Sequence, residues 1–264
     1  MASILFCFLG SVILLQALEV RSKSMERIVN GQEAKEGQFP YIVALELLLN
    51  ETSLSCGGSI IANDWILTAA HCTQDAQRVI IYYGSIEKSK AQVVVEVQAS
   101  SIIQHPKYDS TLTTNDIALI HSKWVDFNDR IQRIALPRPE QFGESFEGQW
   151  SRTAGWGSTF DFSLVAIPEL LQWANLQITP KFLCEVTYSY EANITENVLC
   201  AGSPYQQSGC AGDSGGPLVL IKENILVGVT SHGHAVGCRL GFPGVYTRVS
   251  KYLDWIRENS NVTS

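Results

Sequence analysis

The sequence predicts an all-β fold closed by one short C-terminal helix. Short β-branched and aromatic runs recur along the chain, broken by Gly, Asn and Asp, as antiparallel strands are. Helical periodicity is nearly absent from both halves. Its clearest instance is the spacing of Val249, Leu253 and Ile256, with Tyr252 and Trp255 alongside, which predicts a short amphipathic helix.

The first element is not part of that fold. The chain opens on an apolar run from Met1 to Leu15, too short to span a bilayer comfortably. Small residues and a polar stretch from Glu19 to Arg27 follow. This pattern fits a cleaved secretory signal over 1–18 and a short segment over 19–27. No other stretch is long and apolar enough to cross a membrane, so the expected product is secreted and extracellular, with no membrane partner. The net charge of −7 argues against nucleic acid as a partner. Of seven cysteines, Cys7 falls in the leader and leaves Cys56, Cys72, Cys184, Cys200, Cys210 and Cys238. An even set in a secreted chain suggests disulfides, and sequence alone leaves fifteen pairings open. No Cys-x-x-Cys occurs, so a zinc cluster is not expected. Asn50, Asn193 and Asn261 each begin an N-glycosylation triplet, which suits secretion.

Strand signals then follow in order. They fall at 39–45, 56–61, 65–70, 79–83 and 93–97, and again at 117–120. The loop from Gly84 to Gln92 has only Glu87 as a carboxylate, too few oxygens for a calcium ion. Leu136-Pro137-Arg138-Pro139 suits a connection between two halves, about 28–137 and 138–264. Gly155-Trp156-Gly157 opens the second half.

Near its end that half carries Cys210-Ala211-Gly212-Asp213-Ser214-Gly215-Gly216-Pro217-Leu218, a serine in a glycine-flanked turn leading into an apolar strand. Turn composition alone would explain a G-x-S-x-G pattern. Such a turn also presents a serine hydroxyl beside backbone N–H groups, as nucleophilic acyl transfer requires. Taken together, the nine residues resemble the nucleophile loop of the chymotrypsin-like (S1) serine proteases. Thr68-Ala69-Ala70-His71-Cys72 resembles that family's general-base segment, and Asn115-Asp116-Ile117-Ala118-Leu119 the segment carrying its orienting aspartate. The order His, Asp, Ser differs from the Ser, Asp, His order of α/β-hydrolases.

The resemblance covers residues 28–264. It implies two antiparallel six-stranded β-barrels with a short C-terminal helix, and a secreted serine endopeptidase made as a zymogen. It nominates Ser214 as nucleophile, His71 as base and Asp116 as orienting acid, with the N–H groups of Gly212 and Ser214 as the oxyanion hole. Cleavage after Arg27 would free the Ile28 amine to pair with Asp213. A buried carboxylate costs several kcal/mol unless paired, so the pair would order the loop (~several kcal/mol). The implied disulfides are Cys56–Cys72, Cys184–Cys200 and Cys210–Cys238. The implied partners are protein and peptide substrates, an activating trypsin-like protease and protein inhibitors. No cofactor or metal is implied, and the chain is expected to be a monomer. Its three bridges look like those of invertebrate digestive enzymes.

Specificity rests on Ser208, Ser231, His232, Gly233 and Gly244. Ser208 stands at the implied pocket base, where trypsins carry an aspartate, and is uncharged. Gly233 and Gly244 leave the walls open, which suits large apolar or aromatic P1 residues. An elastase-like or broad collagenolytic preference is the alternative, and a catalytically inactive homologue acting as a binding protein is the non-enzyme reading. The sequence departs from the family at His232, where tryptophan is usual, and in a slightly longer 234–237 loop. Arg239, near the pocket in sequence, reads as a solvated residue; His105 and His121 read as structural or surface residues.

Overall fold

The computed structural model describes residues 31–157, 169–189, 194–203, 213–235 and 237–264. In chain order, β1 (Gln32–Glu33) precedes β2 (Ile42–Leu48), β3 (Ser53–Ala62) and β4 (Trp65–Thr68). One helical turn, α1 (Ala70–Thr73), leads to β5 (Arg78–Tyr83), β6 (Val93–Gln98), β7 (Ile102–Gln104) and β8 (Ala118–His121). The second half holds β9 (Trp150–Gly155), β10 (Gln172–Ile178), α2 (Lys181–Thr187), β11 (Val198–Gly202), β12 (Pro217–Leu220), β13 (Leu226–His232) and β14 (Gly244–Arg248), and ends in α3 (Leu253–Ser260).

The first-half strands pair antiparallel in the order β6-β5-β2-β3-β4-β8-β7. β6 and β7 are one run of chain, bent by a 3-10 turn over Ala99–Ser101. Both edges of the sheet therefore belong to the same bent strand, and the sheet closes on itself. In the second half β9 pairs with both β10 and β12, which closes a ring through β11, β14 and β13. β1 pairs with the start of β10, on the edge opposite β9. Each half is thus the six-stranded barrel that the resemblance implies.

Side-chain alternation explains why these segments are strands. Along β10 the inward positions Gln172, Ala174, Leu176 and Ile178 are buried and the intervening ones are not. Along β5, Val79, Ile81 and Tyr83 point inward in the same way. A continuous apolar core joins Leu45, Ile60 and Leu67 of the first barrel to Leu226 and Val229 of the second, and reaches Val249 and Ile256 at the C-terminus. Fully burying one such aliphatic side chain is worth about 1.5–3 kcal/mol.

The C-terminal helix forms where its spacing predicts. A 3-10 turn over Val249–Tyr252 leads into α3, and Val249, Tyr252 and Ile256 are buried. Leu253 and Trp255 sit at the edge of the core. Helix α2 has no counterpart among the sequence expectations. Its apolar residues Phe182, Leu183 and Val186 face solvent and only Cys184 is buried, so its sequence carries no inward stripe. The Cys184–Cys200 disulfide ties it to β11 instead.

Candidate active site

The site lies between the barrels, and each barrel supplies part of it. His71 sits in the single turn α1, directly after β4. Cys72, its neighbour, is disulfide-bonded to Cys56 of β3. The His71 Nε2 lies 3.7 Å from the Cys72 Sγ, so the bridge packs against the imidazole. Cys56, His71 and Cys72 cluster as a metal site would, but both sulfurs are committed to the disulfide and offer no thiolate.

Asp116 precedes β8 and is 1% exposed. Its Oδ2 accepts a hydrogen bond from His71 Nδ1 at 2.8 Å and from the Ser231 hydroxyl at 2.6 Å. Its Oδ1 accepts the backbone N–H of His71 at 2.9 Å, and its carbonyl accepts the Thr247 hydroxyl at 2.7 Å. Burial pushes the carboxyl pKa up, but the hydrogen bond and charge of His71, the Ser231 hydroxyl and the His71 N–H outweigh it and hold it below its usual value. Burial and then the Asp116 charge push Tyr252 up to about 12. With its proton on Nδ1, a neutral His71 presents Nε2 as an acceptor.

Ser214 belongs to the turn 213–216 that feeds β12, and it is half-buried. The Gly216 N–H closes the turn on the Asp213 carbonyl at 3.0 Å, with Gly215 at φ +76°. A Cβ on Gly215 would strike the Thr68 hydroxyl and the Gly57 carbonyl, so the turn lies flat against the first barrel. The Gly57 N–H donates to the Ser214 carbonyl at 2.7 Å. Gly215 N–H donates to the Thr230 carbonyl at 2.8 Å and Thr230 N–H to the Gly216 carbonyl at 2.9 Å. Thr230 is followed by Ser231, which holds Asp116. The serine turn, the aspartate and the histidine are therefore fixed to one another through adjacent backbone positions. Ser214 and His71 make no direct hydrogen bond among the described residues. Such bonds are often long before substrate binds.

The Trypsin family model matches residues 28–256 of this chain. The chain belongs to the trypsin family. It is similar to serine protease 1 of Drosophila melanogaster, 43% identical over 90% of this chain and 87% of that protein. A collagenase of Hypoderma lineatum is 38% identical over 89% of this chain and 88% of that protein. Among solved structures, HL collagenase superposes with a TM-score of 0.83 at 38% identity, covering 90% of this chain and all of that one. Neuropsin of mouse brain superposes with a TM-score of 0.73 at 31% identity, covering 87% and 98%. The protein is accordingly a trypsin-family serine endopeptidase, with two barrels and a C-terminal helix.

The remaining nominated residues of this trypsin-family chain fall as follows. Asp213 is 1% exposed, and its Oδ1 accepts the Gly157 N–H at 2.8 Å. A side chain at Gly155 or Gly157 would collide with that carboxylate, which explains the glycines flanking Trp156. Ser231 is buried, His232 half-buried and Gly233 exposed, with open space where its Cβ would stand. A Cβ on Gly244 would touch the Tyr246 ring at 3.3 Å. Asn50 and Asn261 are exposed. Cys238 is disulfide-bonded. Arg27, Ile28, Asn193, Ser208, Cys210 and Gly212 lie outside the described residues, as does the side chain of Arg239. His105 packs edge-on against Tyr252, and His121 stacks on Trp65. Among the described residues no helix is long and apolar enough to cross a membrane.

Sequence reasoning missed the aromatic surroundings of His232. Tyr188, at the end of α2, meets the His232 ring edge-on at 5.9 Å and the His234 ring at 5.4 Å, and His234 stacks on Phe242 at 4.2 Å. Tyr188 also donates to the Pro243 carbonyl at 2.6 Å. No local pattern links Tyr188 to β13, because they meet only through the Cys184–Cys200 anchor and the fold.

Proposed function

We propose that the chain hydrolyses peptide bonds by a Ser214–His71–Asp116 mechanism, with preference for large apolar or aromatic P1 side chains. The observation that carries this reading is the buried hydrogen-bond set on Asp116, from His71 and Ser231, beside a serine turn clamped by Gly57. Ser214 attacks the scissile carbonyl while His71 Nε2 takes its proton. Asp116 keeps the histidine proton on Nδ1 and stabilises the imidazolium. The backbone N–H groups of Gly212 and Ser214 receive the oxyanion, and loss of one such donor costs about 10²–10³ in rate. His71 then protonates the leaving amine, and water attacks the acyl-enzyme to release the second product. The residues of this scheme need no cofactor or metal.

The chain is made as a secreted zymogen in this reading. Cleavage after Arg27 by a trypsin-like protease frees the Ile28 amine, which pairs with Asp213. The burial of Asp213 beside Gly157 supports such a pair, since a cation compensates a carboxylate removed from water. The active enzyme is a monomer acting on proteins, subject to protein inhibitors. The exposure of Asn50 and Asn261 supports glycans on both.

The pocket argument rests on uncharged Ser208, on the open space at Gly233 and on the lack of a side chain at Gly244. A cationic P1 group would be buried without a partner, whereas apolar area gains about 25 cal/mol per Å². The Hypoderma lineatum collagenase at 38% identity favours a second reading, broad collagenolytic specificity. Two measurements decide. After cleavage at Arg27, a fluorophosphonate labels Ser214 and not a Ser214→Ala variant. On peptides differing only at P1, kcat/KM is greatest for Phe or Leu. Equal rates on Ala and Phe favour the collagenolytic reading, and preference for Arg overturns the pocket assignment.

A further inference from the structure

We propose that His232 is a second histidine of the catalytic network: a positioning residue that acts on the Asp116–His71 pair through Ser231 and makes turnover depend on its own proton. The proposal rests on the triad reading above and extends it to the residue of β13 that stands where the family usually has tryptophan.

The geometry fixes the direction of each hydrogen bond. Ser231 has one hydroxyl proton and gives it to Asp116 Oδ2 at 2.6 Å. The Ser231 Oγ also lies 3.1 Å from His232 Nδ1. Since the hydroxyl proton is already committed, His232 Nδ1 must carry the hydrogen and Ser231 Oγ must accept it. A directional chain results: His232 Nδ1–H to Ser231 Oγ–H to Asp116 Oδ2, which also receives His71 Nδ1–H at 2.8 Å. Each oxygen is polarised by the donor behind it, and Ser231 and Asp116 are 5% and 1% exposed, so water screens the chain little.

Protonation of His232 leaves the Nδ1–H donor in place and adds a positive charge two hydrogen bonds from Asp116. That charge draws on the same carboxylate that must stabilise the His71 imidazolium during acylation. The two cations compete, so the transition state is weakened when His232 is charged. Among the described residues, the titratable groups that face His232 are Tyr188 from the end of α2, His234 behind Tyr188, and Asp116 with His71 through Ser231. Tyr108 and Tyr252 also lie within the field of Asp116. The Asp116 carboxylate is the anion to which Ser231 connects His232, so the coupling runs through it. Tryptophan or phenylalanine at this position could not titrate.

The test is the pH dependence of kcat/KM for the full-length protein cleaved at Arg27, on one P1-Phe peptide. Histidines titrate across roughly pH 8 to 5. Over that range the acid limb of the wild type is expected to steepen from one proton toward two. At its low end activity should fall about tenfold below the one-proton line, a full unit of coupling. His232→Asn keeps an N–H donor in reach of Ser231 but cannot titrate; its acid limb should follow one proton, whatever its absolute rate. Identical one-proton limbs in wild type and His232→Asn overturn the proposal.

A readout without turnover separates this result from failure of the triad reading. In Ser214→Ala protein with ¹⁵N-labelled histidine, the His71 ring resonances should titrate in two steps, and in a single step once His232→Asn is added. A single step in both proteins refutes the coupling even where the protease is active. Two steps in a protein whose Ser214 is never labelled would keep the coupling and reject the triad reading.

Discussion

Asp116 is the residue on which the chemistry and the local stability meet. Its carboxyl is held below its ordinary pKa: burial alone would raise it, but the hydrogen bond and charge of His71 and the Ser231 hydroxyl outweigh that. A folded-state value below the unfolded one, about 3.9 for Asp, means that the ionised group stabilises the fold above that pH. The contribution is lost as pH falls through the lower, folded value. Asp116→Asn removes it. The stability gap between wild type and variant, from denaturant unfolding, is expected to be wider at pH 7 than at pH 3; a gap that does not change with pH would show that the charge is not what matters. The same variant permits the wrong histidine tautomer, and kcat should fall by roughly 10⁴-fold, as that template gives. Of the two readouts, only the stability gap survives if Ser214 is not the nucleophile.

At the scale of elements, α1 is too short to hold a side chain by itself. It is one turn with no side-chain cap, and a helix of that length is marginal in water. What fixes His71 is its surroundings: the Asp116 carboxylate on its backbone N–H, and the Cys56–Cys72 bridge behind the ring. Replacing both cysteines by serine should cost about 2–4 kcal/mol. It should also lower kcat more than it raises KM, because the base loses its fixed position while the pocket does not. A fall in thermal midpoint with unchanged kcat would assign the bridge to stability alone. The elements that were legible in the sequence are those whose pattern is local. The β-branched and aromatic run of β5 and the Val249–Ile256 spacing need no partner to be read, and the turn at Ser214 is legible through its glycines. Helix α2 was not legible, since Phe182, Leu183 and Val186 face outward and a disulfide takes the place of an apolar face. Nor was the ring group of Tyr188, His232, His234 and Phe242, which only the folded chain brings together. The residues of the proposed triad are legible by motif, but the link from Ser231 to His232 is a matter of distance, which a sequence does not carry.

At the scale of the molecule, the site exists only where the barrels touch. His71 and Asp116 come from the first barrel, and Ser214 and Ser231 from the second. At the serine turn the contact is made by backbone: Gly57 N–H to the Ser214 carbonyl, with the Gly57 Cα facing Gly216 so closely that a Cβ would stand 2.9 Å from the Gly216 Cα and 3.2 Å from its nitrogen. Backbone atoms cannot swing aside as side-chain ends can. Gly57→Ala should therefore push the serine turn away from the first barrel while leaving each barrel's own core intact. Its neighbour supplies the control. A Cβ on Gly58 would meet the Ile66, Val43 and Leu45 side chains, all within the first barrel, at 2.7–3.3 Å. Gly58→Ala should overpack that barrel and cost about 1–3 kcal/mol, with the folded fraction turning over normally. Gly57→Ala should show the reverse: a modest change in thermal midpoint and a loss of kcat/KM of about 10²-fold, the scale expected for an ångström of misplacement. Measuring thermal midpoint and kcat/KM on both variants separates the two effects. If Gly57→Ala were as active as the wild type, the barrels could shift at this seam without consequence, and the serine turn would owe its position to β13 alone.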